Sequence, residues 1–155
     1  MIRKLCITDK EQYLALLEQL TAVGNISDSK WFLLYQKLEN SNIEIYVLVA
    51  VHDTNDTMGE SSCDKQDKEI ILAAGTLLIE QKIIHEGSVV GHIEDIVVAE
   101  KARGLGLGKQ IVEHLINRAK ELGAYKVILD TKEDTAGFYT KIGFHKHEVQ
   151  MRIDL

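Results

Sequence analysis

The stretch Arg103-Gly104-Leu105-Gly106-Leu107-Gly108-Lys109 decides the fold of this chain. It follows residues 91–98, an apolar and β-branched run that predicts a strand. After it, apolar residues recur at helical spacing from Ile111 to Leu122, and Gly123 ends the pattern. A glycine-rich turn between a strand and a helix leaves backbone N–H groups available to an anion, and glycine lets a phosphate approach closely. The sequence therefore predicts a loop that binds a pyrophosphate.

The spacing of the glycines distinguishes this loop from other nucleotide-binding loops. The dinucleotide fingerprint requires G-x-G-x-x-G, whereas the glycines here run G-x-G-x-G. A P-loop requires a glycine where Arg103 stands and a serine or threonine where Gln110 stands, so both requirements fail. The pattern that matches is R-x-x-G-x-G, formed by Arg103, Gly106 and Gly108, and it resembles the coenzyme A loop of the GNAT superfamily of N-acetyltransferases.

Four further motifs extend this resemblance in the same chain order. They are KIIH, GHIEDI, YKVILD and FYTKIGF, at residues 82–85, 91–96, 125–130 and 138–144. Together with the loop they resemble the glucosamine 6-phosphate N-acetyltransferases, a family within that superfamily. The similarity is close from Ala73 to Met151 and weak before it, except at residues 20–24.

Hydrophobic patterning predicts alternating strands and helices. Strands are predicted at residues 2–7, 44–51, 69–80, 91–98, 125–129 and 148–153. Helices are predicted after the first strand, at residues 30–38 behind a Ser27 or Asp28 cap, after the glycine-rich loop, and at residues 134–142. Residues 53–68 are polar and predict an exposed, flexible loop. The order βααβββαβαβ is that of the GNAT fold, so the resemblance implies an α/β (mixed α+β) architecture: a central mixed, twisted sheet with splayed central strands, flanked by helices.

Length and composition limit the class of protein. With 155 residues, we expect one domain spanning 1–155. With a net charge of −6, the chain lacks the excess of positive charge that binding to nucleic acid requires. We find no signal peptide and no apolar stretch long enough to span a bilayer, so we expect a cytoplasmic protein without a membrane partner. Cys6 and Cys63 form no metal or redox motif and no histidine has metal-site spacing, so no metal is predicted.

The resemblance implies acetyl-CoA as the co-substrate. Its pantetheine arm would pair with the backbone of the strand at residues 91–98 in the manner of an added strand, and its pyrophosphate would lie on the glycine-rich loop. The implied cofactor-binding residues are Ile96, Val97, Val98, Arg103, Gly104, Leu105, Gly106, Leu107, Gly108, Lys109, Thr135 and Tyr139.

Acetyl transfer to an amine requires a deprotonated amine, a donor for the oxyanion and a proton for the leaving thiolate. Tyr139 matches the family's tyrosine that faces the coenzyme A sulfur, whereas its neighbour Phe138 is predicted to be a core aromatic. Asp130 ends a predicted strand and matches the aspartate at the sugar amine, and Glu94 completes the implied catalytic set. The alternatives are a structural aromatic for Tyr139 and a turn or capping carboxylate for Asp130.

The acceptor sugar would be held by side chains from several motifs. The implied substrate-binding residues are Thr21, Lys82, His85, Glu94, Asp95, Asp130 and Arg152. Glu94 and Asp95 would point to opposite faces of a regular strand, so only one reaches the sugar unless a β-bulge redirects the other. A structural salt bridge is the alternative for this pair. Arg152 is assigned to the phosphate because Asp154 stands where the family has a basic residue.

The resemblance thus implies that the chain transfers the acetyl group of acetyl-CoA to the 2-amine of D-glucosamine 6-phosphate. Direct attack in a ternary complex is expected, and the product would serve UDP-N-acetylglucosamine synthesis. One alternative is a GNAT acetyltransferase that acts on another small amine or a protein amine, and another is a non-catalytic acyl-CoA sensor. The family also implies a homodimer, because it builds each sugar site with residues of both subunits.

Overall fold

One five-stranded sheet organises the part of the chain that this computed structural model describes, residues 1–52 and 68–154. The strands are β1 (Ile2–Lys4), β2 (Ile43–His52), β3 (Lys68–Gln81), β4 (Val89–Val98) and β5 (Ala124–Leu129). They lie side by side in chain order; β1 to β4 are antiparallel, and β5 runs parallel to β4. The predicted mixed sheet is confirmed. The predicted loop at 53–68 lies outside the described residues, except for Lys68, with which β3 begins.

The connecting helices agree with the predicted order, apart from a short segment between β3 and β4 that the sequence did not predict. They are α1 (Lys10–Leu17), α2 (Asp28–Glu39), α3 (Ile84–Gly87), α4 (Leu107–Glu121) and α5 (Glu133–Thr140). Ser27 caps α2, because its side chain accepts a hydrogen bond from the Lys30 N–H at 3.3 Å. The α3 segment is a single distorted turn in which His85 and Glu86 adopt φ angles of 53° and 59°. None of the described helices is long and apolar enough to cross a membrane.

Helices cover both faces of the sheet. The apolar side chains of β2 alternate between the two faces and belong to two separate clusters. Val47 and Val49 pack with residues of α1 and α2, whereas Tyr46 and Leu48 pack beneath α4. The buried stripe of α4 consists of Ile111, Val112, Leu115 and Ala119. Burying one large aliphatic side chain stabilises a fold by roughly 1.5–3 kcal/mol. This stripe therefore fixes α4, and with it the loop at its N-terminus, against the sheet.

Strand β4 continues beyond the end of β5. Their pairing extends from Val89 with Ala124 to Ile93 with Leu129, where β5 ends, whereas β4 continues to Val98. Among the described strands, residues 94–98 therefore adjoin only β3. No described strand pairs with the other side of this segment, so its backbone groups there are available to a ligand.

The predicted strand at residues 148–153 is wrong for the single chain. Residues 144–154 form no regular secondary structure, and Val149, Met151 and Ile153 are 83%, 88% and 83% exposed. Their alternate spacing is typical of a strand, but a strand also needs an edge with which to exchange backbone hydrogen bonds. None of the described strands of the same chain supplies that edge to this segment.

Candidate active site

The loop between β4 and α4 presents backbone N–H groups without intrahelical partners. Gly104 and Gly106 have φ angles of 80° and 77°, a left-handed conformation that glycine adopts without steric cost. The first hydrogen bond of α4 is donated by the Gln110 N–H to the Gly106 carbonyl, at 3.1 Å. No side chain caps this helix. The N–H groups of residues 107–109 thus lie at the positive end of the helix dipole, where a pyrophosphate would bind.

Two side chains from neighbouring elements enclose this loop. A Cβ atom on Gly108 would lie 3.4 Å from Phe138 Cζ and 3.4 Å from Val98 Cγ2, so a larger residue would be tightly confined there. Arg103 Nε donates to the Val98 carbonyl at 3.2 Å, which anchors the start of the loop. Phe138 is 38% exposed, so its prediction as a core aromatic is wrong. Its ring covers the first turn of α4, a tertiary contact that local sequence spacing does not reveal.

Tyr139 lies half-buried on α5, against the cluster beneath α4. Its ring makes edge-on contacts with Phe138 and Phe144, at centroid distances of 4.9 and 6.0 Å. Burial raises the pKa of the Tyr139 phenol, which keeps it protonated at neutral pH. Such a phenol can donate a hydrogen bond or a proton to a leaving thiolate. One turn earlier, the Thr135 hydroxyl donates to the Lys132 carbonyl at 3.1 Å.

A β-bulge interrupts β4 at the predicted carboxylate pair. Thr76 pairs with Glu94 and Ala74 pairs with Val97, so β4 contains one more residue than β3 over this step. Asp95 lies within the bulge and has a φ angle of 51°, an uncommon conformation for a residue other than glycine. Strain of this kind is characteristic of functional sites.

The bulge changes which face the two carboxylates occupy. Ile93 and Ile96, which flank the pair, both pack beneath α4. Glu94 and Asp95 therefore lie together on the opposite side of β4, where the Asp95 charge also acts on Tyr13 of α1. The sequence allowed both carboxylates to reach one ligand only if a bulge was present, and the structure contains that bulge.

Asp130 lies close enough to Glu94 to influence its protonation. Partial desolvation, followed by the negative charges of Asp130 and Asp95, raises the pKa of Glu94, while His92 opposes the shift. Asp130 directly follows β5, at the strand end where the sequence predicted it. A carboxylate whose pKa is raised is a better proton acceptor, and a sugar amine and hydroxyls are suitable hydrogen-bond partners for such a group.

Tyr13 and Thr76 are buried beside the bulge, and sequence reasoning missed them as site residues. Their exposed fractions are 5% and 8%. Burial and the nearby Asp95 charge raise the pKa of Tyr13 to about 12, and the neighbouring Thr76 opposes this shift. In the sequence, Tyr13 is indistinguishable from other residues on the apolar face of α1. Nothing in its spacing could reveal its proximity to Asp95.

The residues predicted to bind the sugar phosphate before β4 make contacts within the chain. Lys82 forms an ion pair with Glu80, and Glu80 also lies 2.8 Å from His92 Nε2. Lys82 first, and then His92, lower the pKa of Glu80. His85 instead stacks on Tyr125 with ring centroids 4.6 Å apart. Through Glu80, Lys82 is thus linked to His92, which lies two residues before Glu94 on β4. His85 lies instead in the turn between β3 and β4.

The C-terminal segment touches the carboxylates through Gln150, whose Nε2 donates to Asp130 Oδ2 at 2.7 Å. Arg152 pairs instead with Asp154, with 2.8 Å between Nε and Oδ1. Thr21 lies in an exposed bend after α1. Within the described part of the chain, neither Arg152 nor Thr21 hydrogen-bonds any of the three carboxylates. Of the predicted sugar-binding residues that it describes, the structure thus brings together Glu94, Asp95 and Asp130, and it leaves Arg152 and Thr21 without a hydrogen bond to them.

The glycine-rich loop before α4, the bulge and the extension of β4 beyond β5 are compatible with the GNAT fold expected from the sequence. The Acetyltransferase (GNAT) family matches residues 21–144 of the chain. The glucosamine 6-phosphate N-acetyltransferase of Candida albicans is 39% identical over 96% of this chain and 91% of its own length. This chain belongs to the GNAT family and, within it, to the glucosamine 6-phosphate N-acetyltransferases.

Solved structures agree with this assignment. The crystal structure of glucosamine-6-phosphate N-acetyltransferase from Arabidopsis thaliana is similar at a TM-score of 0.84 and 33% identity, covering 99% of this chain and 97% of that one. An acetyltransferase from Trypanosoma brucei is similar at a TM-score of 0.84 and 34% identity, covering 100% and 99% of the two chains. The likeness therefore includes the weakly similar N-terminal half.

Proposed function

We propose that this chain transfers the acetyl group of acetyl-CoA to the 2-amine of D-glucosamine 6-phosphate, in a cytoplasmic route to UDP-N-acetylglucosamine. The observation that carries the proposal is the meeting of two features near the end of β4: an anion-binding loop and a bulge that bears Glu94 and Asp95. The activity named for the Candida albicans and Arabidopsis thaliana relatives supports it. In this proposal residues 1–155 act as one catalytic domain.

Acetyl-CoA would bind along the open side of β4 and over the following loop. The backbone of residues 96–98 pairs with the pantetheine amides, because β5 ends before this segment. The pyrophosphate lies on residues 104–108, with Arg103 and Lys109 as flanking cations. Thr135, at the start of α5, completes the cofactor-binding set. The thioester then reaches the region between the bulge and Tyr139.

The proposed reaction is direct attack without an acyl-enzyme. Asp130 and Glu94 bind the sugar amine, and Glu94 accepts a proton from it as the nitrogen–carbon bond forms. The carbon–sulfur bond breaks, and the Tyr139 phenol supplies a proton to the leaving sulfur before it is reprotonated by solvent. Positioning the two reactants can lower the barrier by about 7–11 kcal/mol, and one acid–base group contributes roughly 10²–10⁴-fold.

The sugar phosphate would be bound by Lys82, His85 and Arg152, while Asp95 and Thr21 bind sugar hydroxyls. The net charge of −6 makes a local cluster of cations necessary for an anionic substrate. A polyamine acceptor would instead favour an acidic lining without these cations.

We further propose a homodimer in which the C-terminal segment of each chain docks against the other. The outer edge of β5 is bordered by a cavity of about 260 Å³, lined by apolar residues such as Ile116, Val127 and Phe144 and also by Lys120 and Lys126. The exposed Val149, Met151 and Ile153 have the two-residue spacing needed to enter it as a strand. Docking of this segment would carry Arg152 to the partner's site.

The dimer is tested with Met151→Asp, which places a charge on the docking face. We expect a monomer in analytical ultracentrifugation, retained acetyl-CoA binding, and a strong loss of glucosamine 6-phosphate turnover. Glu148→Gln, on the opposite face of the segment, is the control and should remain dimeric. An active wild-type monomer would contradict the docking.

The activity is tested by measuring acetyl-CoA turnover with glucosamine 6-phosphate, glucosamine, galactosamine 6-phosphate and spermidine. We expect turnover to be fastest with glucosamine 6-phosphate and to fall steeply without the phosphate. Preferred turnover of spermidine would instead support another GNAT acceptor. Acetyl-CoA binding without turnover of any amine would support a sensor.

A further inference from the structure

A second cavity lies between α1, α2 and β2, on the side of the sheet opposite α4. Its volume is about 360 Å³. Leu17 of α1, Trp31 of α2 and Ile45 of β2 form its walls, and Val23 and Ile26, from the connection between the helices, also line it. Tyr13, the residue beside the bulge, also lines this space, but the proposed acetyl transfer assigns no role to the space itself.

The size and lining of the cavity fit a small apolar ligand. Ligand pockets typically have volumes of about 300–1,000 Å³, and an apolar cavity of about 150 Å³ suffices to bind benzene. A hydrocarbon chain placed against these apolar side chains would remove apolar surface from water. Filling the space would therefore be favourable.

The mouth of the cavity carries a positive charge. Lys37, in the last turn of α2, is the one charged residue that lines it, and it forms no ion pair with any residue the structure describes. The Ser41 hydroxyl, also at the lining, donates to the Leu38 carbonyl at 2.7 Å and is thus already used. A ligand with an apolar chain and an anionic head complements this arrangement.

We propose that this cavity binds a medium-chain carboxylate, with the alkyl chain between Leu17 and Trp31 and the carboxylate at the Lys37 ammonium. The charge sets the orientation of the ligand, and burial of the chain supplies most of the affinity. Because Lys37 is exposed, its contact contributes little, roughly two- to fivefold in affinity.

Trp31 is the only tryptophan of the chain, so its fluorescence reports on the cavity directly. The full chain is titrated with octanoate, octanol and octylamine, in the absence of acetyl-CoA and sugar. We expect saturable changes in Trp31 emission with octanoate, weaker binding of octanol, and the weakest binding of octylamine. This titration is independent of the proposed acetyl transfer.

Two kinds of variant locate the ligand. Lys37→Gln should weaken octanoate binding roughly two- to fivefold and leave octanol binding unchanged. Lys30→Gln, on the same helix but outside the cavity, should change neither. Val23→Phe and, separately, Leu17→Phe fill the space and should abolish binding while acetyl-CoA binding shows that the fold is retained.

Absence of a saturable signal in the wild type overturns the proposal, as does equal affinity for octanoate, octanol and octylamine. Equal effects of Lys30→Gln and Lys37→Gln on octanoate also overturn it, because the carboxylate would then not lie at Lys37. Binding that persists in folded Val23→Phe and Leu17→Phe would place the ligand elsewhere on the surface and contradict the assignment.

Discussion

The cofactor side and the acceptor side of the candidate site are built in opposite ways. The cofactor side is centred on a run of consecutive residues, 103–109, fixed by the buried stripe of α4, and in our proposal it also includes residues 96–98, Thr135 and Tyr139. The acceptor side collects side chains from the β3–β4 hairpin, the bulge, the end of β5 and an exposed C-terminal segment. Local backbone preferences therefore determine the conformation of the loop on the cofactor side. The acceptor side depends on tertiary contacts and, in our proposal, on a second copy of the chain.

Replacing Tyr139 tests the chemistry where the two sides meet. Tyr139→Phe retains the aromatic contacts with Phe138 and Phe144 but removes the phenol. We expect kcat to fall by roughly 10²–10⁴-fold, while the affinity for acetyl-CoA is retained. Steady-state kinetics and calorimetric titration measure the two effects. Tyr35→Phe, which removes a phenol remote from the site, is the control, and an unchanged kcat for Tyr139→Phe would exclude the proton donor.

A change in the loop should affect the cofactor side alone. Gly106→Val forces a β-branched residue into a φ angle of 77°. We expect acetyl-CoA affinity to fall about tenfold or more, because the left-handed conformation costs roughly 1–2 kcal/mol and the side chain crowds the pyrophosphate. Binding of glucosamine 6-phosphate should change much less.

Gly137→Ala serves as the control for this loop variant. Gly137 lies in α5 without a positive φ angle, and an added Cβ would meet no atom within 4 Å. This substitution should preserve acetyl-CoA binding and stabilise the helix slightly. An equal loss of affinity for acetyl-CoA and for glucosamine 6-phosphate in Gly106→Val would indicate unfolding. The variant would then not separate the cofactor side from the acceptor side.

The same distinction explains what the sequence could predict. The glycine spacing predicted the turn between β4 and α4, and its Gly104 and Gly106 adopt left-handed φ angles, a conformation that depends on the residue itself. The alternation of Val149, Met151 and Ile153 predicted a strand in the C-terminal segment, but it could not supply a neighbouring edge, and the single chain leaves those residues exposed. The sequence did not predict Tyr13 beside the bulge or Phe138 against the first turn of α4, because each position depends on a contact between elements distant in sequence.

The C-terminal segment offers a test of the acceptor side. Arg152→Ala should raise the KM for glucosamine 6-phosphate by about tenfold, because a charge-assisted contact contributes roughly 1.5–3 kcal/mol. Asp154→Asn releases Arg152 from its ion pair and should lower that KM roughly two- to fivefold. In both variants kcat should remain nearly constant. If neither KM moves, the phosphate is bound without Arg152.

The smallest expected effect lies within α4, on the cofactor side. Among the described residues, His114 Nε2 is a buried side-chain atom without a hydrogen-bond partner, and its ring makes an edge-on contact with Tyr46 at 4.4 Å. Burial lowers the pKa of His114 below its ordinary value of 6.5. The unfolded chain therefore binds more protons than the folded one as pH falls through about 6.5, and stability decreases there.

His114→Phe keeps the aromatic contact and removes both the unpaired nitrogen and the titration. We expect it to raise the free energy of unfolding by about 1 kcal/mol at neutral pH, with a larger gain below pH ~6.5. Denaturant unfolding at several pH values measures this, with His145→Gln in the exposed C-terminal segment as control.

Because α4 fixes the loop through buried contacts that His114→Phe preserves, the affinity for acetyl-CoA should stay unchanged. A pH dependence identical to that of the wild type would show that His114 titrates alike in both states. A loss of acetyl-CoA affinity would show that the loop depends on more than its own glycines and the stripe beneath it.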